Sequence, residues 1–122
     1  MRVLVVEDHA PLAEAFADSI RRNGHLAYVA GTGARAVTMA RAHAPHAVVL
    51  DLGLPDMDGY DVARTMREQG LAKSSVIVVV TGRLVDQDDG AGVDLVLQKP
   101  VEGDMLAGLI EYLSRRRAQP RF

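Results

Sequence analysis

The sequence predicts a doubly wound α/β domain, a parallel sheet with helices on both faces, from three observations. Four short Val-rich apolar runs recur along the chain: Val3–Val6, Ala47–Leu50, Val76–Val80 and Leu95–Leu97. They show no polar alternation, as expected of strands covered on both faces. The segments between them carry helical periodicity and are joined by short connections. Alternating strands and helices of this kind close into a parallel sheet through right-handed crossovers.

Each element has its own signals. Val3–Val6 is the first strand. Leu12, Phe16 and Ile20 step by four behind Pro11, which suits a first helical turn, and Asn23-Gly24 ends that helix. Leu26–Ala30 is a weaker strand candidate. Thr32 caps a second helix running to about His43 and ended by Pro45; after Ala47–Leu50, Asp58 caps a third through Val62 and Met66 to Gly70. Beyond Val76–Val80, the stretch from Arg83 to Gly92 offers only Leu84 and Val85 as apolar anchors, so a fourth helix there is short or absent. Leu95–Leu97 is the fifth strand. Leu106, Leu109 and Leu113, with Met105 and Ile110, give a last helix from about Glu102 into the arginines. Met39, Met66 and Met105 read as core, Tyr60 and Tyr112 as helix-surface residues, and Asp56 and Asp58 as turn and cap residues.

A chain of 122 residues without internal repeat or low-complexity tract is one domain, long enough to bury an ordinary core. The absence of Cys excludes disulfides and thiolate metal sites. No apolar run approaches a membrane span and the N-terminus does not read as a signal peptide, so a cytoplasmic location is expected. The net charge of −2 divides unevenly. Arg115, Arg116, Arg117 and Arg121 fall where there is no acid, leaving residues 1–114 with ten basic residues against sixteen acidic ones. We therefore read residues 1–114 as an acidic body and 115–122 as a basic tail or linker stub. Such a body argues against direct nucleic-acid binding by the domain.

Ligands of such sheets bind beyond the carboxyl ends of the strands. Here the first run ends in Glu7-Asp8, the third in Asp51, the fourth in Thr81 and the fifth in Gln98-Lys99-Pro100. Two carboxylates ~5 Å apart repel by ~3 kcal/mol at an effective dielectric near 20, and one lysine cannot balance three of them. A hard divalent cation can, and Mg²⁺ typically takes one or two carboxylates, keeps waters and uses the remaining positions for phosphate oxygens. The pattern reads as Mg²⁺-assisted phosphate chemistry. Asp51 is the natural nucleophile, Thr81 a hydrogen-bond donor to a phosphoryl oxygen, and Lys99 its ionic partner. Lysine is the exception in a chain with twelve Arg and two Lys, and a compact ammonium suits a point contact to phosphate. His9 reads as a loop residue beside the acids.

With these residues in place, the chain resembles the receiver domain of two-component response regulators over residues 2–114. The resemblance rests on Asp51-Leu52-Gly53-Leu54-Pro55-Asp56-Met57-Asp58-Gly59 as the phosphoacceptor loop, with Glu7-Asp8 before it and Thr81-Gly82 and Lys99-Pro100 after it. It implies a flavodoxin-like three-layer α/β/α sandwich with strand order 2-1-3-4-5. Asp51 would then take a phosphoryl group from a phosphohistidine on a sensor histidine kinase or histidine phosphotransfer protein. Asp8 would bind Mg²⁺ together with Asp51, Glu7 would hold it mainly through water, and the Gly53 carbonyl would complete the protein ligands. Thr81 would turn toward the phosphoryl group, Lys99 would pair with it, Gly82 would leave it approachable, and the Lys99-Pro100 bond would be cis. Output would pass to a downstream protein or a domain absent from this chain.

Two departures stand out. Val96 occupies a position where the family usually has an aromatic residue, and the stretch from Thr81 to Lys99 is about one helical turn, ~4 residues, shorter than usual. Both put the usual threonine–aromatic coupling in doubt and leave the phosphorylation chemistry untouched. The expected module catalyses only its own phosphorylation and dephosphorylation and is otherwise no enzyme. The alternative is a phosphorylation-independent adaptor, a pseudo-receiver that keeps the site as a relic. An aspartyl-phosphate hydrolase is disfavoured because no cap segment exists to enclose a substrate.

Overall fold

The structure, a computed structural model, describes residues 1–83 and 92–118. The elements run β1 (Arg2–Val6), α1 (Ala10–Arg22), β2 (Leu26–Ala30), α2 (Gly33–His43), β3 (Ala47–Leu50), α3 (Gly59–Glu68), β4 (Val76–Thr81), β5 (Leu95–Gln98) and α4 (Gly103–Ala118). The expected short or absent helix between Arg83 and Gly92 falls largely outside the described residues. All strand pairs are parallel and the sheet order is β2-β1-β3-β4-β5, as expected for a flavodoxin-like sheet.

The period-two alternation of strand side chains divides the core into two layers. Leu4, Val6, Val48, Leu50 and Ile77 pack against Ala36 and Ala40 of α2 and Val62, Ala63 and Met66 of α3. Val3, Val5, Val49, Val76, Val78 and Val80 face Ala13, Phe16 and Ile20 of α1 and Leu106 and Ile110 of α4. Because β1, β3 and β4 are buried on both faces, alternation is invisible in their sequences and an apolar residue, most often Val, serves at almost every position. The edge strands β2 and β5 are only partly covered.

The helix ends follow local chemistry. Pro11 sits in the first turn of α1, the Thr32 hydroxyl accepts from the Arg35 N–H at 3.0 Å to cap α2, and Asp58 Oδ1 accepts from the Tyr60 N–H at 2.9 Å to cap α3. Ala44 ends α2 in the left-handed region at φ 47°. Arg115, Arg116 and Arg117 continue α4, and Arg117 Nη1 reaches Asp94 Oδ1 at 2.8 Å.

Two side-chain expectations are corrected. Met105 is 49% exposed rather than core, because it lies in the first turn of α4 beside inward-facing Leu106. Tyr60 is half-buried and packs on the α2/α3 layer, where its position in the first turn of α3 turns it toward the core. Met66 is fully buried, Met39 packs on the same layer and Tyr112 is exposed, as expected.

Candidate functional site

Backbone pairing carries the sheet register one step past the strand ends, and this is what assembles the site. Glu7 N–H donates to the Ala30 carbonyl at 3.0 Å, Asp51 N–H to the Val6 carbonyl at 2.9 Å, and Lys99 N–H to the Thr81 carbonyl at 2.8 Å. The chemistry-bearing side chains therefore leave adjacent strands at one edge. Glu7, Asp8 and Asp51 each offer a carboxylate oxygen within 4.8 Å of the others.

Lys99 lies against this cluster. Its Nζ donates to Glu7 Oε1 at 2.7 Å and stands 3.8 Å from Asp51 Oδ1. Glu7 is 4% exposed, and its burial holds its pKa above the usual carboxylate value. The ammonium of Lys99 and the His9 N–H, which reaches Glu7 Oε2 at 3.2 Å, oppose that shift, while the Asp51 charge adds to it. Asp51 and Thr81 are buried, Asp8 is exposed, and Lys99 is half-buried. A crowd of negative charge thus opens to solvent on the Asp8 side. Its donor set is oxygen only, with no imidazole or thiolate, which fits a hard divalent cation such as Mg²⁺.

The loop after Asp51 is tied down at three points. A Cβ built on Gly53 would stand 3.9 Å from Asp51 Oδ2, and the Gly53 backbone bridges to Asp58. The Asp56 carboxylate straddles the start of α2, accepting from Gly33 N–H at 2.8 Å and Ala34 N–H at 2.9 Å; these bonds hold its pKa below the usual value. Gly59 passes so close to the strand end that a Cβ there would stand 2.4 Å from the Asp51 carbonyl oxygen. Asp56 thus acts as a cap, and the helix it caps is α2, not the one that follows it.

On the Thr81 side, the Arg83 N–H donates to Thr81 Oγ1 at 3.3 Å. The Arg83 guanidinium pairs with Asp58 Oδ2 at 2.6 Å. Burial would raise the Asp58 pKa, but Arg83 and the Tyr60 N–H together hold it below the usual value. Around Gly82 the space is open, since a Cβ there would meet nothing within 4 Å. The Lys99-Pro100 bond is cis. Val96 lies half-buried on β5, in register with Val79.

One cluster escaped the sequence reading. Asp94 accepts from the Ile77 N–H at 2.8 Å and pairs with Arg67 at 3.3 Å and Arg117 at 2.8 Å, while Arg67 also donates to the carbonyls of Ala72, Ser75 and Gly92. It joins α3, α4 and the starts of β4 and β5, and no spacing in the sequence marks these residues as partners.

Among the described residues, no helix is long and apolar enough to cross a membrane. The transcriptional regulatory protein KdpE of Mycobacterium tuberculosis is 35% identical over 98% of this chain and 50% of its own length. CutR of Streptomyces coelicolor, also a transcriptional regulatory protein, is 35% identical over 98% of this chain and 56% of its own. The chain thus spans about half the length of these curated relatives. A response regulator receiver domain protein (CheY-like) from Methanospirillum hungatei superposes with a TM-score of 0.88 at 21% identity, covering 95% of this chain and 94% of that one, a likeness of fold. The family model of the response regulator receiver domain matches residues 3–111. With the sheet order and the carboxyl-edge acids agreeing, the chain belongs to the response regulator receiver domain family.

Proposed function

We propose that this chain is the phosphoacceptor of a two-component relay and that Asp51 receives the phosphoryl group. The observation that carries the reading is the placement of one ammonium against a three-carboxylate cluster, with Lys99 Nζ 3.8 Å from Asp51 Oδ1 at the end of the central strand. An Asp51 oxygen attacks the phosphorus of a phosphohistidine on a sensor kinase or phosphotransfer protein. The P–O bond forms as the P–N bond breaks, and the imidazole leaves with its electron pair and takes up a proton. Hydrolysis of the acyl phosphate later restores the carboxylate.

Asp8, Asp51 and the Gly53 carbonyl would hold Mg²⁺, with Glu7 holding it mainly through water. The cation would neutralise charge on the phosphoryl oxygens during transfer. Lys99 exchanges Glu7 for a phosphoryl oxygen, and the Thr81 hydroxyl, now accepting from the Arg83 N–H, turns to donate to another. The module acts in the cytoplasm, modifies only itself, and passes its state to an output protein or domain.

Incubation with acetyl phosphate and Mg²⁺, followed by intact mass, tests this reading. Wild type should gain one phosphoryl group, and Asp51→Asn or omission of Mg²⁺ should abolish the gain. No adduct on wild type, or an undiminished adduct on Asp51→Asn, overturns it and leaves the phosphorylation-independent adaptor as the reading to pursue.

A further inference from the structure

At the opposite edge of the sheet, where the strands begin, lies an open cavity of about 920 Å³. Its wall includes His46, which precedes β3, Lys73, which precedes β4, and Glu111, Ser114, Arg115 and Arg117 from the end of α4. We propose that this cavity binds a phosphorylated small molecule of nucleotide size.

The hydrogen-bonding inventory of the wall carries the argument. Lys73 and Arg115 make no ion pair or hydrogen bond with any described residue. His46 Nδ1 accepts from the Arg2 N–H at 2.9 Å, so the neutral ring carries its proton on Nε2, a donor with no partner among the described residues. The Ser114 hydroxyl is buried and also lacks a partner there. Buried polar atoms are rarely left so, and each needs an explanation. Arg117 is held by Asp94, which fixes one of its guanidinium nitrogens and leaves the others available. The wall's carboxylate, Glu111, is already bound through Oε1 by His25 Nε2 at 2.7 Å.

The wall is apolar over most of its surface and carries these free donors and positive charges, on a domain whose first 114 residues are acidic. Its complement is a ligand with several anionic acceptor oxygens, and phosphate meets cationic donors of this kind through charge-assisted hydrogen bonds. The volume lies in the range of small-molecule sites, ~300–1,000 Å³, and exceeds what one phosphate group fills. An organic body attached to the phosphates accounts for the remainder. The Asp51 chemistry lies at the other end of the strands and plays no part in this site.

Calorimetric titration of the full chain with ADP in EDTA, so that no Mg²⁺ occupies the carboxylate edge, tests the proposal. ADP should bind saturably at one per chain and at least tenfold more tightly than adenosine. Lys73→Ala with Arg115→Ala should weaken it at least tenfold, Ser114→Ala should weaken it severalfold, and Asp51→Asn should bind as wild type does. Absence of saturable binding, binding undiminished in the double variant, or loss in Asp51→Asn overturns the proposal. Pyrophosphate binding as tightly as ADP overturns the claim of an organic body. Duplex DNA that displaces ADP while Ser114→Ala has no effect makes the surface a diffuse nucleic-acid contact, which also overturns it.

Discussion

Replacing Gly59 by alanine should destabilise the domain and slow phosphorylation together, whereas the same replacement at Gly108 should stabilise it. In an unhindered helix the exchange is worth about 0.5–1 kcal/mol in favour of alanine. Gly108 is that case: it lies exposed in α4, and an added Cβ meets nothing within 4 Å. At Gly59, the first residue of α3, the new Cβ would stand 2.4 Å from the Asp51 carbonyl oxygen and 2.8 Å from Leu52 Cα. Both are backbone atoms that no rotamer change can move aside. Overpacking of this kind costs ~1–3 kcal/mol. The shift that relieves it also strains the Gly59 N–H bond to the Leu52 carbonyl, 3.0 Å long; such a bond is worth ~1 kcal/mol. Set against the helix gain, a net loss of about 1–3 kcal/mol follows, which for a domain of this size lowers the melting midpoint by roughly 3–12 °C. Thermal unfolding by far-UV circular dichroism gives the midpoints, and intact mass against time in acetyl phosphate gives the modification rate. Gly59→Ala should melt lower and gain phosphate more slowly, because Asp51 moves with its own carbonyl. A Gly59→Ala midpoint at or above wild type would refute the reasoning.

Three further outcomes are expected. His46 has its pKa lowered by burial first and by the Arg2 charge second, and protonation at Nδ1 would break its bond to the Arg2 N–H. The stability it contributes is complete above the ordinary value of 6.5 and is lost as pH falls through the lower folded pKa. Urea midpoints between about pH 7.5 and 5 should therefore fall less steeply in His46→Ala, by under ~1 kcal/mol for so exposed a ring; identical slopes would count against it. Asp56 owes its depressed pKa to the Gly33 and Ala34 N–H groups, so its stabilisation is present above the ordinary carboxylate value and lost as pH falls through the folded one. Asp56→Ala should speed hydrogen exchange at those two amides, and unchanged protection would show that the cap is not needed. Arg83→Ala removes the 2.6 Å pair with Asp58 and frees the approach to Thr81. Hydrolysis of the Asp51 phosphate should quicken roughly two- to fivefold, the kinetic equivalent of an exposed pair worth ~0.5–1 kcal/mol, and an unchanged rate would sink the idea.

How far the sequence could be read depended on whether the signal was local. The inner strands were legible because burial on both faces forces unbroken Val-rich runs, and the carboxyl-edge residues followed because each ends such a run. Thr32 and Asp58 were legible as caps because a cap acts within its own helix. Asp56 was legible only as a turn or cap residue, since its partners Gly33 and Ala34 lie across the fold. Met105 was misread because an apolar residue beside Leu106 looks like core until the helix phase is fixed, and Tyr60 for the converse reason. The Arg67–Asp94–Arg117 cluster was beyond reach: its members are ordinary surface charges until β4, β5 and α4 are side by side.

The bond from Asp56 to the start of α2 also bears on how such a site can be inherited or transplanted. The stretch from Asp51 to Gly59 holds its shape by borrowing two backbone N–H groups from a helix some twenty residues earlier in the chain. Lifted alone into another parallel sheet, it would carry the nucleophile without the anchor that fixes the loop beside it. The smallest portable unit is therefore the stretch from Thr32 to Gly59, and recombination breakpoints inside it should be tolerated far less well than breakpoints on either side.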